Sequence, residues 1–391
     1  MPWKKRSKQE HRLDLVRQMA QSNLTVGLIC RRFGISRQTA YKWRKRYRRG
    51  RLAGLKDQSR RPLLIGVQTS RQWLRRVRRL RERRPTWGAR KLRHKLVQRW
   101  GQPGIPAVAT ISRWLKRWGL SHGKRRRLPG PKIAGLAART PSLCHDVWTV
   151  DFKGWYRTGN GTRVEPLTVR DLKSRYGLEL ALLPSQAMEP VRRVFKKLFE
   201  RQGYPKRIRC DNGTPFGGGG ATGLTRLSGW WIKLGIQVEF ITPGRPSENG
   251  AHEQFHRVYK AEVARNPEPT KAAQQRRTDR WLQDYNKERP HEGLGMKAPA
   301  QVFRKNRQKR SRKQGPWKYP KGWTARWVKG NGEINWQGKR RYVGEAFVRD
   351  YVGLKPMGPG RWRVYFGPIV VGDLYKKDVG RIRMAKYRPG G

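Results

Sequence analysis

The sequence predicts a multidomain protein with α-helical modules at its N-terminus, an α/β domain in its middle and a small β-barrel at its C-terminus. At 391 residues the chain is longer than the roughly 100–200 residues of one domain. Its first third carries apolar residues at helical spacing, its middle alternates apolar strands with amphipathic helices, and its last part has short strands between glycine turns. We therefore expect three kinds of domain in one chain.

The charge of the chain points to its partner. It contains 92 Lys and Arg against 26 Asp and Glu, a formal net charge of +66. Such a charge repels itself strongly unless a polyanion neutralises it. DNA or RNA is the natural partner, bound through phosphate contacts that weaken with added salt and depend little on sequence. Charge alone predicts binding, and leaves a protein that only coats nucleic acid as an equal alternative.

The cysteines and the apolar segments indicate the compartment. Cys30, Cys144 and Cys210 lie far apart and form neither a CxxC motif nor a Cys/His cluster of the kind that holds structural zinc. No apolar stretch approaches the roughly 20 residues that span a bilayer, and the N-terminus lacks an apolar signal core. These features predict a cytoplasmic protein with reduced thiols and no membrane partner.

Three short helices are predicted between residues 11 and 47. Thr25 can cap a helix over Val26–Phe33 that ends at Gly34, a residue suited to a left-handed turn. Ser36 can cap the next helix, which runs to Tyr47. This is the helix-turn-helix pattern, whose second helix reads bases in the major groove; any three-helix bundle shares it, but the charge favours DNA. The expected base-reading side chains are Arg37, Gln38 and Lys42.

A second helical unit is predicted within residues 61–122. Trp73 and Val77 belong to one apolar stripe, and a last helix covers residues 109–118. The pattern favours another helix-turn-helix domain. The alternative is a basic helical spacer that tracks phosphates. The exposed residues expected on the last helix are Arg113 and Lys116.

Three carboxylates in the middle of this basic chain are candidates for a functional site. Asp151 lies near the end of an apolar strand, Asp211 directly follows another, and Glu253 lies on a helix whose apolar face is formed by other residues. Carboxylates from two strands and one helix can hold two Mg²⁺ ions about 3.5–4 Å apart. Hard oxygen ligands suit Mg²⁺. The pattern therefore predicts metal-dependent chemistry on nucleic acid.

The motifs around these acids resemble the signatures of DDE transposases related to retroviral integrases. They are Trp148-Thr149-Val150-Asp151, Cys210-Asp211-Asn212-Gly213 and Pro246-Ser247-Glu248-Asn249-Gly250-Ala251-His252-Glu253. The resemblance covers residues 145–303 closely, and its last part looks like the segment that follows the core in bacterial insertion-sequence transposases. That part contains Tyr285-Asn286, Arg289-Pro290-His291 and Pro299.

This resemblance implies an RNase H-like core, Mg²⁺-dependent cleavage at transposon ends and strand transfer by the freed 3′-hydroxyl. The implied partners are double-stranded DNA, at the terminal inverted repeats and at the target, and further copies of the chain in at least a dimer. The implied cofactor is a pair of Mg²⁺ ions, which Mn²⁺ can replace, held by Asp151, Asp211 and Glu253. The implied location is the bacterial cytoplasm, in association with the nucleoid.

The chain departs from the family pattern in two places. Asp211 and Glu253 are 42 positions apart, longer than usual, and we interpret the excess around Gly217–Gly220 as an insertion. Glu248 is the competing third acid, but Glu253 matches the Gly-x-x-Glu position of the family. The chain also lacks the His/Cys zinc module of retroviral integrases. Two alternative functions share the fold: a non-catalytic DNA-binding regulator derived from a transposase, and an RNase H-like nuclease.

Further DNA contacts are expected around the acids. Asn249 stands where related enzymes use a mobile-loop amide on DNA. His256 can touch a phosphate, although a histidine on a helix face is more often structural. Asp146 and Asp171 are expected to be a strand-edge and a turn acid, and Glu165 a solvated one. The other expected DNA contacts are Lys233, Arg245, Arg257 and Lys260.

Five short strands are predicted between residues 323 and 366, separated by glycine turns. They suggest a small barrel, which by the family resemblance binds DNA or a neighbouring subunit; the alternative is a stabilising appendage. The predicted domains are helix-turn-helix domains at 1–60 and 61–122, a basic linker at 123–144, the integrase-like core at 145–265, a helical basic connector at 266–316, and the barrel with a basic tail at 317–391.

Overall fold

A computed structural model describes residues 7–59, 70–121, 141–242, 250–306 and 315–387. These residues belong to two compact units, one within the first 68 residues and one from residue 69 onward. Arg245, Glu248 and Asn249 lie outside the described residues, as does most of the predicted linker at 123–144. None of the helices in the described part of the chain is long and apolar enough to cross a membrane.

The first unit contains three helices, α1 (Lys8–Gln21), α2 (Val26–Phe33) and α3 (Arg37–Gly54). Helix α2 has the predicted bounds because Gly34 ends it with a φ of 63°, which glycine adopts without strain. Ser36 accepts a hydrogen bond from the backbone N–H of Thr39 and caps α3, whereas Thr25 makes no side-chain cap at α2. The core of this helix-turn-helix unit consists of Leu15, Ile29, Cys30 and Ala40.

The second unit begins with α4 (Arg71–Arg83), α5 (Ala89–Trp100) and α6 (Val108–Arg117). Two ion pairs join these helices to α10 (Lys271–Glu288): Arg84 with Asp284, and Lys95 Nζ with Glu288 Oε2 at 2.5 Å. The second helical module is therefore docked on the α/β domain of the same unit and is not an independent domain. Its core consists of Val77, Trp87, Leu92, Leu96, Ile111 and Leu115.

A six-stranded mixed sheet forms the centre of the second unit. Its strands are β1 (Val147–Phe152), β2 (Tyr156–Arg157), β3 (Arg163–Asp171), β4 (Gly177–Leu183), β5 (Arg207–Cys210) and β6 (Gln237–Phe240). They lie in the order β2-β3-β1-β5-β6, and β4 also pairs with β3. β1 is antiparallel to β3 and parallel to β5, and β5 is parallel to β6. The carboxyl ends of β1 and β5 thus meet at one edge of the sheet.

Helices cover both faces of this sheet. Leu167 and Val169 of β3 belong to an apolar cluster with Phe195 and Trp231. Leu180 of β4 belongs to another, with aromatic residues of the later helices. Strand side chains alternate between faces, so the two clusters lie on opposite sides. The helices are α7 (Met188–Gln202), α8 (Arg226–Lys233), α9 (Gly250–Tyr259, continued by a π-helical turn over Lys260–Ala264), α10 and α11 (Pro299–Val302).

The C-terminal strands do not confirm the predicted barrel. They are β7 (Thr324–Trp327), β8 (Glu333–Trp336), β9 (Lys339–Tyr342), β10 (Tyr351–Gly358), β11 (Arg361–Phe366), β12 (Ile369–Tyr375), β13 (Gly380–Arg381) and β14 (Arg383–Met384). They form a five-stranded sheet, β14-β12-β11-β10-β7, and a three-stranded sheet, β13-β9-β8, and both are open. An alternating pattern identifies strands, but it does not specify which edges pair.

The C-terminal sheets pack on the α/β domain. Lys233 Nζ lies 2.5 Å from Asp350 Oδ2, and Tyr387 N donates a hydrogen bond to Thr222 O at 3.1 Å. At Gly229 a Cβ atom would lie 2.5 Å from the carbonyl oxygen of Ala346, so the close approach requires glycine. The two parts of the unit are therefore joined by specific contacts.

Candidate active site

The register of the sheet brings Asp151 and Asp211 together. Parallel pairing places Thr149 of β1 opposite Arg209 of β5. Two residues further along, Asp151 and Asp211 lie at the carboxyl ends of these neighbouring strands. Burial raises the pKa of the Cys210 thiol, and the charges of Asp211 and Asp151 raise it further, so both carboxylates lie near this one residue. The register therefore places the two predicted acids at the ends of adjacent strands.

Thr168 ties α9 to the strand that carries Asp151. β1 and β3 pair with Asp151 opposite Thr168, whose hydroxyl donates a hydrogen bond to the Asp151 carbonyl oxygen at 2.9 Å. Thr168 Oγ1 also lies 2.6 Å from His252 Nε2 and 2.8 Å from His256 Nε2. A hydroxyl has one proton to donate, so it accepts an N–H from each ring. Both histidines therefore carry a proton on Nε2, and α9 is held against the sheet.

His256 also faces the Asp151 carboxylate. Its Nδ1 lies 4.0 Å from Asp151 Oδ2. Burial, followed by the nearby charges of Arg170 and Lys153, lowers the pKa of His256 to about 3, so the ring is neutral at pH 7. The contact is thus between a neutral ring and a carboxylate and is not an ion pair. This placement favours the structural alternative for His256 over a phosphate contact.

Asp211 is a carboxylate that burial disfavours. Its pKa is raised because desolvation outweighs the hydrogen bond that Oδ1 accepts from Gly213 N at 3.3 Å. Because burial disfavours its ionised form, Asp211 is not an ordinary solvated surface carboxylate. A bound cation would relieve the cost of desolvation. The two strand-end acids therefore offer hard oxygen ligands in a setting that fits a divalent metal ion.

Glu253 is placed differently from the other two acids. It lies in the first turn of α9, next to His252, but its side chain is exposed whereas His252 is 1% exposed. Within the described ranges, no three His, Cys, Asp or Glu side chains are close enough to form a metal site. The structure therefore brings Asp151 and Asp211 together and places the helix of Glu253 beside them, without gathering all three carboxylates.

Comparisons with known proteins identify the family. The chain is 29% identical over 229 residues to the uncharacterized 31.7 kDa protein of insertion element IS407 from Burkholderia multivorans, covering 58% of this chain and 79% of the relative. It is 28% identical over 254 residues to the uncharacterized 39.2 kDa protein of insertion element IS476 from Xanthomonas euvesicatoria, covering 64% of this chain and 70% of the relative.

Family matches extend along most of the chain. Residues 143–246 and 234–299 match the integrase core domain, and residues 324–380 match the C-terminal domain of IS481 family transposases. Together, these matches identify an insertion-sequence transposase. In the N-terminal third of the transposase, residues 11–62 match a helix-turn-helix domain and residues 39–115 a homeodomain-like domain. These matches confirm the predicted DNA-binding modules and RNase H-like integrase core.

A solved structure similar to the transposase is the HTLV-2 integrase catalytic core domain in complex with magnesium, in its dimeric form. The sequence identity is 15% and the TM-score is 0.32, with 41% of this chain and 97% of that chain covered.

The DNA-contacting side chains predicted in the two helical modules of the transposase lie on the surface. All five are exposed, three in the first part of α3 and two on α6. Each set lies on the last helix of its three-helix unit, where a recognition helix is expected. These residues are Arg37, Gln38, Lys42, Arg113 and Lys116.

Two lysines flank the candidate site, and the sequence pattern missed one of them. Lys153 follows β1, two residues after Asp151, and is half-buried. Burial lowers the pKa of Lys153, and the charge of Lys260 lowers it further, so the two ammonium groups are near each other. Lys260 and Arg257 are exposed, as a DNA contact requires. The sequence feature that could have identified Lys153 is its position two residues after Asp151, the first acid of the DDE signature.

Other charged residues of the transposase have structural partners. Lys233, predicted to contact DNA, pairs with Asp350. Asp171 is the expected turn acid and accepts hydrogen bonds from His145 N and Ser174 N at 2.7 and 2.8 Å. The expectation for Glu165 was wrong, because it is 2% exposed and pairs with Arg163 at 2.6 Å.

The glycine-rich segment between the second and third acids is ordered. Gly217 forms a β-bridge with Leu224, and a Cβ at Gly217 would lie 2.7 Å from the carbonyl oxygen of Asn212. Phe216 is buried beside Trp231. The segment that lengthens the spacing between Asp211 and Glu253 is therefore packed against α8.

Proposed function

We propose that this transposase cleaves the ends of its element and joins them to target DNA, with Asp151, Asp211 and Glu253 as the catalytic carboxylates. The observation that carries the proposal is the register that places Asp151 and Asp211 at the carboxyl ends of adjacent parallel strands. Support comes from the integrase core matches at residues 143–246 and 234–299. Glu253 is the third acid because its helix is tied to the Asp151 strand through Thr168.

We further propose that these three residues hold two Mg²⁺ ions, which Mn²⁺ can replace. Asp211 supports this proposal. Burial raises its pKa, and among the described residues the opposing effect comes from the backbone N–H of Gly213 and not from a cationic side chain. The neutral His256 beside Asp151 also adds no competing positive charge. When bound, such ions activate a water or a 3′-hydroxyl and stabilise the leaving oxygen.

The side chains of the protein itself bind and orient the DNA. Lys153, Arg257 and Lys260 present cations near Asp151 and on α9, where they can hold phosphates of the reacting strand. Phosphoryl transfer depends mainly on positioning and charge stabilisation, which a rigid sheet edge provides. Arg245 and Asn249, in the segment before α9, remain proposed DNA contacts, as does Lys233.

The proposed partners are the terminal inverted repeats, target DNA and further copies of the transposase in at least a dimer. The exposed side chains of α3 and α6 would read the repeats in the major groove. Two linked modules suit a long site, since the second binding event becomes intramolecular. We propose that the C-terminal sheets, which pack on the core, contact DNA or a neighbouring subunit.

The test is a joining assay. Labelled duplexes that carry the element's end are incubated with the transposase, target plasmid and Mg²⁺, with EDTA in a parallel reaction. The proposal expects 3′-end cleavage and labelled plasmid, both dependent on the metal. Cleavage without joining would instead indicate an RNase H-like nuclease. End binding without any cleavage would indicate a non-catalytic regulator.

A further inference from the structure

A cationic cavity lies where the second helical module meets the α/β domain. It has a volume of about 650 Å³ and is enclosed by α4, α5 and the C-terminal end of α10. Its walls contain six cationic side chains and a single carboxylate, that of Glu288. The cationic residues are Arg76, Arg79, Arg83, Arg84, Lys95 and Arg99.

Two of these cations are already neutralised. Arg84 Nη2 lies 2.6 Å from Asp284 Oδ1, and Lys95 Nζ lies 2.5 Å from Glu288 Oε2. Within the described part of the chain, none of the four remaining arginines forms an ion pair with a carboxylate. Four like charges around one cavity repel one another, and a bound anion would reduce that repulsion. The four are Arg76, Arg79, Arg83 and Arg99.

Aromatic rings fix the arginines at one end of the cavity. The guanidinium of Arg76 lies 4.7 Å from the centre of the Trp73 ring and 4.6 Å from that of Trp100. The two indoles meet edge to face, with centres 6.0 Å apart. Arg99 also lies over Trp100, at 4.9 Å. A guanidinium held between two rings keeps its N–H groups in a fixed direction, which favours the recognition of a flat or tetrahedral oxyanion.

We propose that this cavity binds backbone phosphates of the same DNA duplex that α6 reads. The inference rests on the proposed function, because it requires the transposase to bind the ends of its element. Arginine pairs well with phosphate through parallel N–H···O bonds. Helices α4 and α6 are neighbours, because Val77 of α4 packs in one buried cluster with Ile111 and Leu115 of α6, so one duplex whose turn spans about 34 Å can reach both. The cavity then binds DNA where the second helical module meets the α/β domain.

The helical spacing of α4 provides a matched test. Arg79 and Arg83 line the cavity, whereas Arg71 and Arg78 do not, and all four side chains are exposed. By helical geometry the second pair points away from the cavity. The variants Arg79→Gln/Arg83→Gln and Arg71→Gln/Arg78→Gln remove the same charge from the same helix. Binding of a fluorescent end duplex is measured by anisotropy at several salt concentrations, beside a scrambled duplex.

Each lost phosphate contact lowers the magnitude of the negative slope of log K against log salt by about 0.9. We expect the glutamine variant of the cavity pair to lower that magnitude by about 2 and the variant of the control pair to leave it near the wild-type value. Arg79→Lys/Arg83→Lys, which keeps the charge, should retain the slope, and a circular dichroism spectrum and thermal midpoint like those of the wild type show that the glutamine variant has folded. Equal slopes for the two glutamine variants would overturn the inference. A wild-type protein that binds end and scrambled duplexes equally would instead contradict end recognition.

Discussion

Thr168 Oγ1 donates a hydrogen bond to the carbonyl oxygen of Asp151 at 2.9 Å, joining facing residues of β3 and β1. The same oxygen accepts N–H groups from His252 and His256 of α9. The strand that carries Asp151 and the helix that carries Glu253 are therefore tied to one atom. This hydroxyl sets how two of the proposed metal ligands lie relative to each other.

Thr168→Val keeps the shape of the side chain and removes its hydroxyl. The Asp151 carbonyl and two ring N–H groups then lose their partner, and each buried polar group without one costs about 1–3 kcal/mol. We expect a lower thermal midpoint by calorimetry. We also expect end joining in single-turnover reactions to fall on the order of 100-fold, as for a displacement of about 1 Å. Thr168→Ser, which keeps the hydroxyl, should retain most of the thermal stability and most of the joining activity. A valine variant that melts and joins like the wild type would show that the network is dispensable.

His291 should make stability depend on pH. Burial, followed by the charges of Lys91, Arg170 and Arg289, lowers its pKa to about 2, below the roughly 6.5 of an unfolded histidine. The unfolded state therefore binds the extra proton first, and the contribution of His291 is complete above pH 6.5 and is lost as the pH falls. In urea unfolding, the wild type should lose about 2 kcal/mol more than His291→Asn between pH 7 and pH 5. Equal losses would mean that the ring accepts a proton in the folded protein.

The ion pair of Arg84 and Asp284 should hold the second helical module on the core. Arg84→Glu places two carboxylates together, and Arg84→Glu/Asp284→Arg restores opposite charges in reversed positions. We expect the single variant to increase hydrogen exchange in α4 and the double variant to reverse that increase. Both side chains are about 30% exposed, so a coupling energy of about 1 kcal/mol is expected from a double-mutant cycle. The exposed pair Arg78 and Glu82 is the control, with a coupling of a few tenths. The same small value for both pairs would argue against docking through this contact.

Gly229→Ala should loosen the C-terminal sheets. Alanine normally stabilises a helix interior by about 1 kcal/mol relative to glycine. Here the added Cβ would lie 2.5 Å from the carbonyl oxygen of Ala346, and overpacking typically costs about 1–3 kcal/mol. We expect a lower thermal midpoint, whereas Gly219→Ala, with open space around it, should be neutral. A stabilised Gly229→Ala variant would show that the two parts separate without cost.

The sequence was sufficient to predict the elements that follow from local patterns. The bounds of α2 follow from a glycine with a positive φ, and the strands that end near Asp151 and Asp211 follow from short apolar runs. The parallel register of β1 and β5 then places these two strand ends side by side. Each of these features depends on a few neighbouring residues, which is why a single sequence contains them.

Features that depend on distant pairing were missed. Thr168 is 84 positions from His252, and Lys233 is more than a hundred from Asp350, so no local pattern connects them. The predicted barrel is not confirmed for the same reason, since strand patterns do not determine which edges meet. The expectation for Glu165 failed because, besides the nearby Arg163, its carboxylate accepts a hydrogen bond from Gln186 Nε2, which lies 21 positions away in the sequence.

The most direct test of the account compares Asp151→Asn with Asp279→Asn, a change of the same kind at an exposed acid of α10. Joining of labelled ends to plasmid is measured in Mg²⁺ at saturating protein, with end binding followed in the same samples. We expect Asp151→Asn to bind ends like the wild type and to yield no joined product, while Asp279→Asn joins normally. Near-normal joining by Asp151→Asn would contradict its assignment as a catalytic carboxylate.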